Sequence, residues 1–182
     1  MKAVNVLLVV LIVCSVQFLC FSFSLNAQTN ESSKSVYVYI AFSEVCPLCI
    51  ELVPTLKEII EKNNLWCEFT FVLPNNNLSK TKLSTLLQTF KKKPKLVYDS
   101  TKKVCKQYGF TVTPEVVVEN DNNEILYSGA VDDRFIDFGK TKKHSIIPYL
   151  SNALQQIFEG KKPQIVSTQA FGCYISYTNK TK

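Results

Sequence analysis

Two cysteines, Cys46 and Cys49, are separated by two residues in segment 42–49, between an apolar β-branched run and a helical pattern. At this spacing two thiols can close a small disulfide ring and support reversible two-electron chemistry. If a strand leads into a helix through this pair, the first sulfur lies at the helix N-terminus, where free backbone N–H groups and the helix dipole favour the thiolate. The sequence therefore predicts Cys46 as the nucleophile and Cys49, more deeply buried, as the thiol that resolves its mixed disulfides.

The same pair has two other interpretations, half of a zinc site and an inert structural disulfide. A zinc site needs a second pair of ligands, and the remaining candidates are scattered cysteines and one histidine, His144. An inert disulfide across so tight a loop would add little loop entropy. We therefore favour a redox pair and predict neither a metal nor another cofactor.

Composition limits the classes of protein that fit. The chain has 182 residues and a hydrophobic content of 46%, enough for one domain with a sizeable core and an export segment. Its net charge of +6 comes from scattered lysines and a single arginine, Arg134. The densest basic stretch, residues 91–95, follows a helical pattern, where cations complement the helix dipole. Because no motif interleaves aromatic and basic residues, we predict no nucleic-acid partner.

Residues 1–27 are predicted to be a targeting segment. Lys2 supplies a positive charge, residues 4–23 are mostly apolar, and cleavage can follow Ala27. We expect export to the periplasm or another extracytoplasmic space; the apolar run is also long enough for an uncleaved membrane anchor, the chain's one expected membrane contact. Cleavage would leave five of the seven cysteines. An odd number outside the cytosol leaves at least one thiol free or bound to another molecule.

After this segment, residues 28–35 form a polar linker, residues 36–160 a domain and residues 161–182 a C-terminal tail that contains Cys173. Hydrophobic periodicity predicts the order β-α-β-α-β-α-β-β-α. The strands are predicted at 36–42, 65–73, 96–98, 115–119 and 125–128, and the helices at 50–62, from 79 into the lysine stretch, and at 100–108 and 146–159. Strands that alternate with helices before a closing hairpin predict an α/β fold, with a central mixed sheet and helices on both faces.

The helices carry recognisable signals. Ser79 and Asp99 are predicted N-caps, Gly109 ends the third helix, and Pro54 should kink the first. The first helix is predicted to bury one apolar face, which consists of Ile50, Val53, Leu56, Ile59 and Ile60.

Three features together resemble the thioredoxin-like superfamily. The CxxC pair opens the first helix after a buried strand, Pro54 follows Cys49 by five residues, and Thr113-Pro114 precedes the late hairpin. The resemblance implies a thioredoxin-like fold with a cis proline beside the CxxC pair. It also implies that Thr113 and Pro114 bind substrate, because in this superfamily the residue before that proline pairs with an extended polypeptide.

A narrower resemblance covers residues 36–175. The segments FSEVCPLC, TPEVVV, YSGAVDDRF, FEGKKP and TQAFGCYI together are similar to exported bacterial redoxin-domain proteins of the alkyl hydroperoxide reductase and thiol-specific antioxidant (peroxiredoxin-like) group. This group adds thiol peroxidase chemistry to the activities that the chain could have.

Several positions depart from those families. Peroxiredoxins proper have a Pro-x-x-x-Thr/Ser-x-x-Cys sequence and hold peroxide with an arginine; here Ser43 fits, Tyr39 replaces the proline, and Arg134 is the one arginine available. Thioredoxin has a buried aspartate behind its CxxC pair, whereas this chain has Ile40, with Glu44 as a partial substitute. The resemblance therefore implies disulfide exchange ahead of peroxide reduction.

Other side chains leave alternatives open. Cys173 is either a further redox thiol that folds back toward the CxxC pair or links to a partner, or a small residue packed against the sheet. Cys67 and Cys105 are either buried core residues or a bonded pair, and burial is favoured. Asp132 and Asp133 either bind a cation or pair with Arg134 in a capped turn, and the turn is favoured.

These observations predict an exported thiol–disulfide oxidoreductase that acts on protein thiols and disulfides with an unidentified redox partner. One alternative is a thiol peroxidase, in which a sulfenic acid on Cys46 is resolved by Cys49 or Cys173. Another is a non-catalytic module that uses the CxxC pair to hold copper or a haem-protein partner.

Overall fold

The computed structural model describes residues 35–75, 78–137, 140–144 and 146–177. The predicted targeting segment, 1–27, and all but the last residue of the predicted linker, 28–35, lie outside these ranges. The strands are β1 (Val36–Ala41), β2 (Cys67–Leu73), β3 (Lys95–Tyr98), β4 (Val112–Thr113), β5 (Glu115–Asn120), β6 (Ile125–Gly129), β7 (Phe135–Asp137), β8 (Lys140–Thr141) and β9 (Cys173–Tyr174). The helices are α1 (Pro47–Asn63), α2 (Lys80–Leu87), α3 (Lys103–Tyr108) and α4 (Tyr149–Phe158).

A five-stranded mixed sheet in the order β3-β2-β1-β5-β6 forms the centre of the molecule. β1 runs parallel to β2 and antiparallel to β5, β2 pairs in parallel with β3, and β5 and β6 form the predicted hairpin. This is the thioredoxin-like α/β arrangement that the sequence predicted, with the strand before the CxxC pair at its centre.

The central strand β1 is covered on both faces, as its unbroken apolar sequence predicts. Val38 and Ile40 belong to the larger apolar cluster, which they share with residues of α1, α2 and α4. The alternate residue, Ala41, belongs to a second cluster with Cys105 of α3 and Ile175 near the C-terminus. Because side chains alternate along a strand, these two clusters lie on opposite faces of the sheet.

Helix α1 buries a different face from the one predicted. Its buried residues are Cys49, Leu52, Leu56, Ile59, Ile60 and Asn63, whereas Ile50 is 44% exposed and Val53 only half-buried. Two neighbouring apolar stripes satisfy the helical period here, and the stripe that contains Cys49 faces the sheet. Pro54 lies inside the helix, as predicted.

The other helices begin or end within a few residues of their predicted limits. Ser79 caps α2 by accepting a hydrogen bond from Lys82 N at 3.4 Å, and α2 ends at Leu87, before the lysine stretch. α3 begins later than predicted and its N-cap is Lys102, so the prediction of Asp99 as N-cap is wrong, although Asp99 Oδ2 accepts a hydrogen bond at 2.8 Å from the amide of Cys105, two residues inside the helix. Gly109 ends α3 with φ at 68°, as predicted.

The predicted tail, residues 161–182, contributes a strand that its sequence did not indicate. Within the part of the tail that is described, β9 pairs antiparallel with β4 and forms a small second sheet. A third small sheet consists of β7 and β8. Among the described residues, no helix is long and apolar enough to cross a membrane.

Candidate active site

The CxxC pair lies where β1 passes into α1. Phe42 N donates to Val72 O at 2.9 Å, which keeps the chain beside β2, and Cys46 N then donates to Ser43 O at 3.2 Å to close a turn. Cys46 is the N-cap of α1, and Pro47, which has no N–H to satisfy, is its first residue. The sequence therefore places one sulfur at the helix N-terminus and the second in the first turn, as predicted.

Both sulfurs are buried. Cys49 was predicted to be the more deeply buried of the two, and the difference in exposure is small. Cys46 is 2% exposed and Cys49 is fully buried. Cys49 Sγ accepts a hydrogen bond from Ser43 N at 3.4 Å. Cys46 Sγ lies 3.1 Å from Thr113 O and 2.6 Å from Cys173 Sγ. The structure thus brings together every residue that the sequence singled out for thiol chemistry.

Thr113 and Pro114, the predicted substrate-binding residues, lie directly beside Cys46. Their peptide bond is cis, as the resemblance implied. Both residues are buried, and Thr113 is paired with Cys173 in the β4–β9 ladder. The backbone of β4, which the resemblance predicts to bind an extended substrate, is therefore paired with β9 of the chain's own C-terminal region.

Cys173 lies against Cys46, which favours the interpretation that it folds back toward the CxxC pair. We call residues 166–177 the tail segment. It first runs beside β6, where Ser128 N donates to Val166 O and Thr168 N donates to Ser128 O, each at 3.0 Å. It then crosses to β4, where Ile175 N donates to Thr111 O at 2.9 Å. Backbone bonds on both sides of Cys173 hold it in place.

Hydrogen-bond donors surround the Cys46 sulfur and stabilise its thiolate. The Cys49 thiol makes the largest contribution, and the Cys173 thiol and the Cys49 amide add to it; together they outweigh burial and lower the pKa of Cys46 to about 4. These donors belong to the first turn of α1 and to the tail segment. The predicted nucleophile is therefore ionised at neutral pH.

The two neighbouring thiols shift the other way. Burial, followed by the nearby Cys46 sulfur, raises the pKa of Cys49 well above its ordinary value. The same two causes raise the pKa of Cys173 to about 12. One sulfur with a lowered pKa therefore lies beside two thiols with raised pKa values, and the roles of attacking and resolving sulfur stay predictions.

Cys67 and Cys105 are buried thiols and not a bonded pair. Cys67 lies in the larger apolar cluster and Cys105 in the second one, on the other face of the sheet. Burial raises the pKa of both, that of Cys105 to about 12. A buried, protonated thiol is a poor nucleophile.

Arg134 is held by a turn and by α1. Its Nη2 lies 2.7 Å from Asp132 Oδ2, a carboxylate that is 2% exposed, and donates to Thr55 Oγ1 at 2.6 Å. Asp133 accepts from Ile147 N at 2.7 Å and pairs with Lys142. The two aspartates therefore serve the turn, as favoured. Within the described ranges, none of the partners of Arg134 belongs to the thiol site.

Glu44 is 3% exposed, and its Oε1 accepts a hydrogen bond from Ser79 N at 2.9 Å. Glu44 therefore binds the N-terminus of α2. A carboxylate that substituted for the thioredoxin aspartate would instead contact the sulfurs. Glu44 also borders a cavity of about 540 Å³ between α1 and α2, lined among others by Ile50 and Leu86. His144 is exposed, and the described residues contain no cluster of three or more His, Cys, Asp or Glu side chains that could hold a metal ion.

Two residues of the site have roles that the sequence did not predict, although Ser43 matches a peroxiredoxin motif position. Ser43 closes the turn through its carbonyl oxygen and binds Cys49 through its amide, while its hydroxyl accepts from Asn75 Nδ2 at 2.6 Å. Gly172 lies against the Thr113-Pro114 peptide, and a Cβ atom there would stand 2.2 Å from Thr113 O. The one available signal was the Gly-Cys pair in the tail, because glycine before a reactive cysteine permits a close approach of two backbones.

Comparison with known proteins finds solved structures that are similar to this chain. No family model and no curated protein matches the chain. A hypothetical protein from Sinorhizobium meliloti 1021 matches with a TM-score of 0.67 at 16% identity, over 79% of this chain and 80% of that one. An uncharacterized conserved protein from Geobacillus kaustophilus matches with a TM-score of 0.68 at 18% identity, over 82% and 81%. A thioredoxin-like protein from Aeropyrum pernix matches over 55% of this chain and 71% of that one, at 12% identity and a TM-score of 0.44.

Proposed function

We propose that this chain, whose fold is thioredoxin-like, is an exported thiol–disulfide oxidoreductase that acts on protein thiols and disulfides through Cys46 and Cys49. One observation carries the proposal: the Cys46 sulfur sits at the N-terminus of α1, surrounded by donors, with a second thiol one turn further along. Export is supported by the sequence of residues 1–27.

The first step is attack by Cys46 on a substrate disulfide. The Cys46 thiolate forms a bond to one substrate sulfur, the substrate S–S bond breaks, and the other substrate sulfur leaves as a thiolate that takes up a proton. An extended substrate pairs with the backbone of β4 at Thr113, whose carbonyl oxygen lies 3.1 Å from Cys46 Sγ. This pairing aligns the substrate sulfur with the nucleophile.

In the second step Cys49 resolves the mixed disulfide. Cys49 loses its proton and attacks Cys46 Sγ, so that the Cys46–Cys49 bond forms and the second substrate thiol leaves. The amide of Ser43, which donates to Cys49 Sγ at 3.4 Å, stabilises the thiolate that develops there. The two steps transfer two electrons to the substrate, and their reversal oxidises a dithiol substrate.

The donors around Cys46 favour the reverse direction, oxidation of substrate dithiols. Stabilising the Cys46 thiolate stabilises the reduced protein and therefore makes its disulfide a stronger oxidant. The contacts of Arg134 count against the peroxidase alternative, since its guanidinium is engaged with Asp132 and Thr55. The metal-delivery and haem-partner alternative has no observation in its favour.

The reduction potential of the Cys46–Cys49 pair tests this proposal. The mature chain with Cys173→Ser, equilibrated in glutathione buffers and trapped for thiol counting, should show one two-thiol transition at a potential above about −270 mV, the value of thioredoxin. Cys49→Ser/Cys173→Ser is the control and should show no such transition. A variant with Cys46 and Cys49 intact that also shows none would disprove the proposed function.

A further inference from the structure

The tail segment lies where an extended polypeptide can pair with β4 and present a cysteine to Cys46. Thr113 pairs with Cys173 and Val112 with Tyr174 in an antiparallel ladder. Antiparallel pairing of this kind binds extended peptides through their main chain. The tail segment therefore has the backbone geometry of a bound peptide.

The tail segment fits closely against β4 and the second apolar cluster. A Cβ atom at residue 172 would stand 2.2 Å from Thr113 O and 3.2 Å from Pro114 N, so only glycine permits this approach. Ile175 is buried in the second apolar cluster with Phe110, and the hydroxyl of Tyr177 donates to Phe110 O. Backbone pairing, a required glycine and a buried apolar side chain together define a specific docking site.

The two sulfurs at the centre of this site are close to bonding distance. Cys46 Sγ and Cys173 Sγ are 2.6 Å apart, compared with about 2.0 Å in a disulfide. With the tail segment in place, Cys46 is 2% exposed. A substrate disulfide therefore cannot contact Cys46 until β9 leaves β4.

We propose that the tail segment is an internal substrate of Cys46, and that Cys173 is a second exchange partner of this sulfur beside Cys49. The inference rests on the proposed function, because it starts from the oxidised Cys46–Cys49 pair. The Cys173 thiolate attacks Cys46 Sγ, the Cys46–Cys49 bond breaks, the Cys46–Cys173 bond forms, and Cys49 takes up the proton that Cys173 released. The oxidation level does not change, so the step consumes no oxidant.

Treatment of Cys49→Ser with oxidised glutathione tests the exchange. Cys46 attacks glutathione disulfide and forms a mixed disulfide with release of one glutathione; Cys173 then attacks Cys46 Sγ and releases the second glutathione. We expect intact protein without bound glutathione, and a proteolytic fragment in which Cys46 and Cys173 are linked, by mass spectrometry. The control Cys49→Ser/Cys173→Ser should retain the glutathione.

Equal retention of glutathione by Cys49→Ser and the control would overturn the exchange. That result would leave the proposed function intact, because the latter is decided by the Cys46–Cys49 pair in Cys173→Ser. Conversely, loss of the two-thiol transition in Cys173→Ser would refute the proposed function even if Cys46 and Cys173 become linked in Cys49→Ser.

Occupation of β4 is tested by alkylation of Cys46 in the reduced protein. Ile175→Ala removes the buried side chain that holds β9, and we expect Cys46 to react with iodoacetamide about tenfold faster or more, as local opening becomes easier. Ile165→Ala, the same substitution at a half-exposed position just before the tail segment, is the matched control. It should react at the wild-type rate. Equal rates for the two variants would show that the tail segment does not cover Cys46.

Discussion

Cys46 and Cys67 lie in the same apolar cluster and are almost equally buried, 2% and 7% exposed, yet their pKa values shift in opposite directions. Cys67 begins β2, and burial is the cause of its raised pKa. Cys46 caps α1, where the Cys49 thiol and amide and the Cys173 thiol donate to it. Burial therefore does not decide whether a cysteine is reactive here; the donors that the fold directs at the sulfur do.

The largest expected effect on activity comes from replacing Cys46 with alanine. Cys46→Ala should reduce disulfide exchange with a model protein substrate to the uncatalysed level, because no other thiolate stands at the helix terminus. Cys67→Ala, its matched control, should keep the wild-type rate and lose about 1 kcal/mol of unfolding free energy from the small cavity. A comparable loss of exchange in both variants would contradict the distinction drawn between them.

The next largest effect is expected in the pH dependence of the unfolding free energy, to which Cys46 and Cys67 should contribute differently. A pKa lowered from 9.0 to about 4 means that, between these values, the unfolded chain holds a proton on Cys46 that the folded chain lacks. The contribution of the Cys46 thiolate to the free energy of unfolding is therefore fully present above pH 9, and it is lost as the pH falls through about 4. In guanidinium unfolding, the difference in free energy between wild type and Cys46→Ala should shrink as the pH falls from 9 to 4.

Cys67→Ala again supplies the control for this measurement. Because the pKa of Cys67 is raised, its thiol is protonated in both the folded and the unfolded chain below pH 9, and its contribution should not change with pH there. A flat difference for Cys46→Ala as well would mean that its thiolate is not stabilised in the folded protein.

A smaller and purely structural effect is expected at Arg134. Arg134→Ala removes the partner of the buried Asp132 carboxylate and the bond to Thr55, and should lower the unfolding free energy by about 2–4 kcal/mol. The donors around Cys46 lie elsewhere, so iodoacetamide should alkylate Cys46 at an unchanged rate. Arg134→Lys should recover part of the stability. A slower reaction of Cys46 in Arg134→Ala would bring the peroxidase alternative back.

Local sequence signals were sufficient for the sheet and for the CxxC pair. The apolar run of β1, the turn into β6 and the place of the CxxC pair between a strand and a helical pattern are signals that act over a few residues, and the structure bears them out, although α1 begins at Pro47 and not at residue 50. They were insufficient for α1, where a period of 3.6 residues fits the stripe through Ile50 as well as the stripe through Cys49. Only packing against β1 distinguishes the two stripes.

The tail segment could not be derived in the same way. Its pairing joins Thr113 to Cys173, two residues far apart in the sequence, and a two-residue strand has no periodicity to detect. Gly172 acquires its role only from the position of Thr113 O. The sequence suggested that Cys173 could fold back, but its place on β4 depends on contacts that no local pattern encodes.

The attachment of the tail segment at Thr168 has a kinetic consequence. The Thr168 hydroxyl accepts a hydrogen bond from Ala130 N at 2.9 Å, and its backbone oxygen would be 2.1 Å from a Cβ at Gly129, so this residue is fixed beside β6. The five residues that follow Thr168, the last of which is Cys173, can span at most about 17 Å, so β9 can detach while Cys173 stays close to the site. A tether this short gives Cys173 an effective concentration in the millimolar range. A substrate thiol that attacks the oxidised Cys46–Cys49 pair has to compete with that permanent local supply of thiol, which favours protein substrates that bind β4 over small thiols that only collide with it.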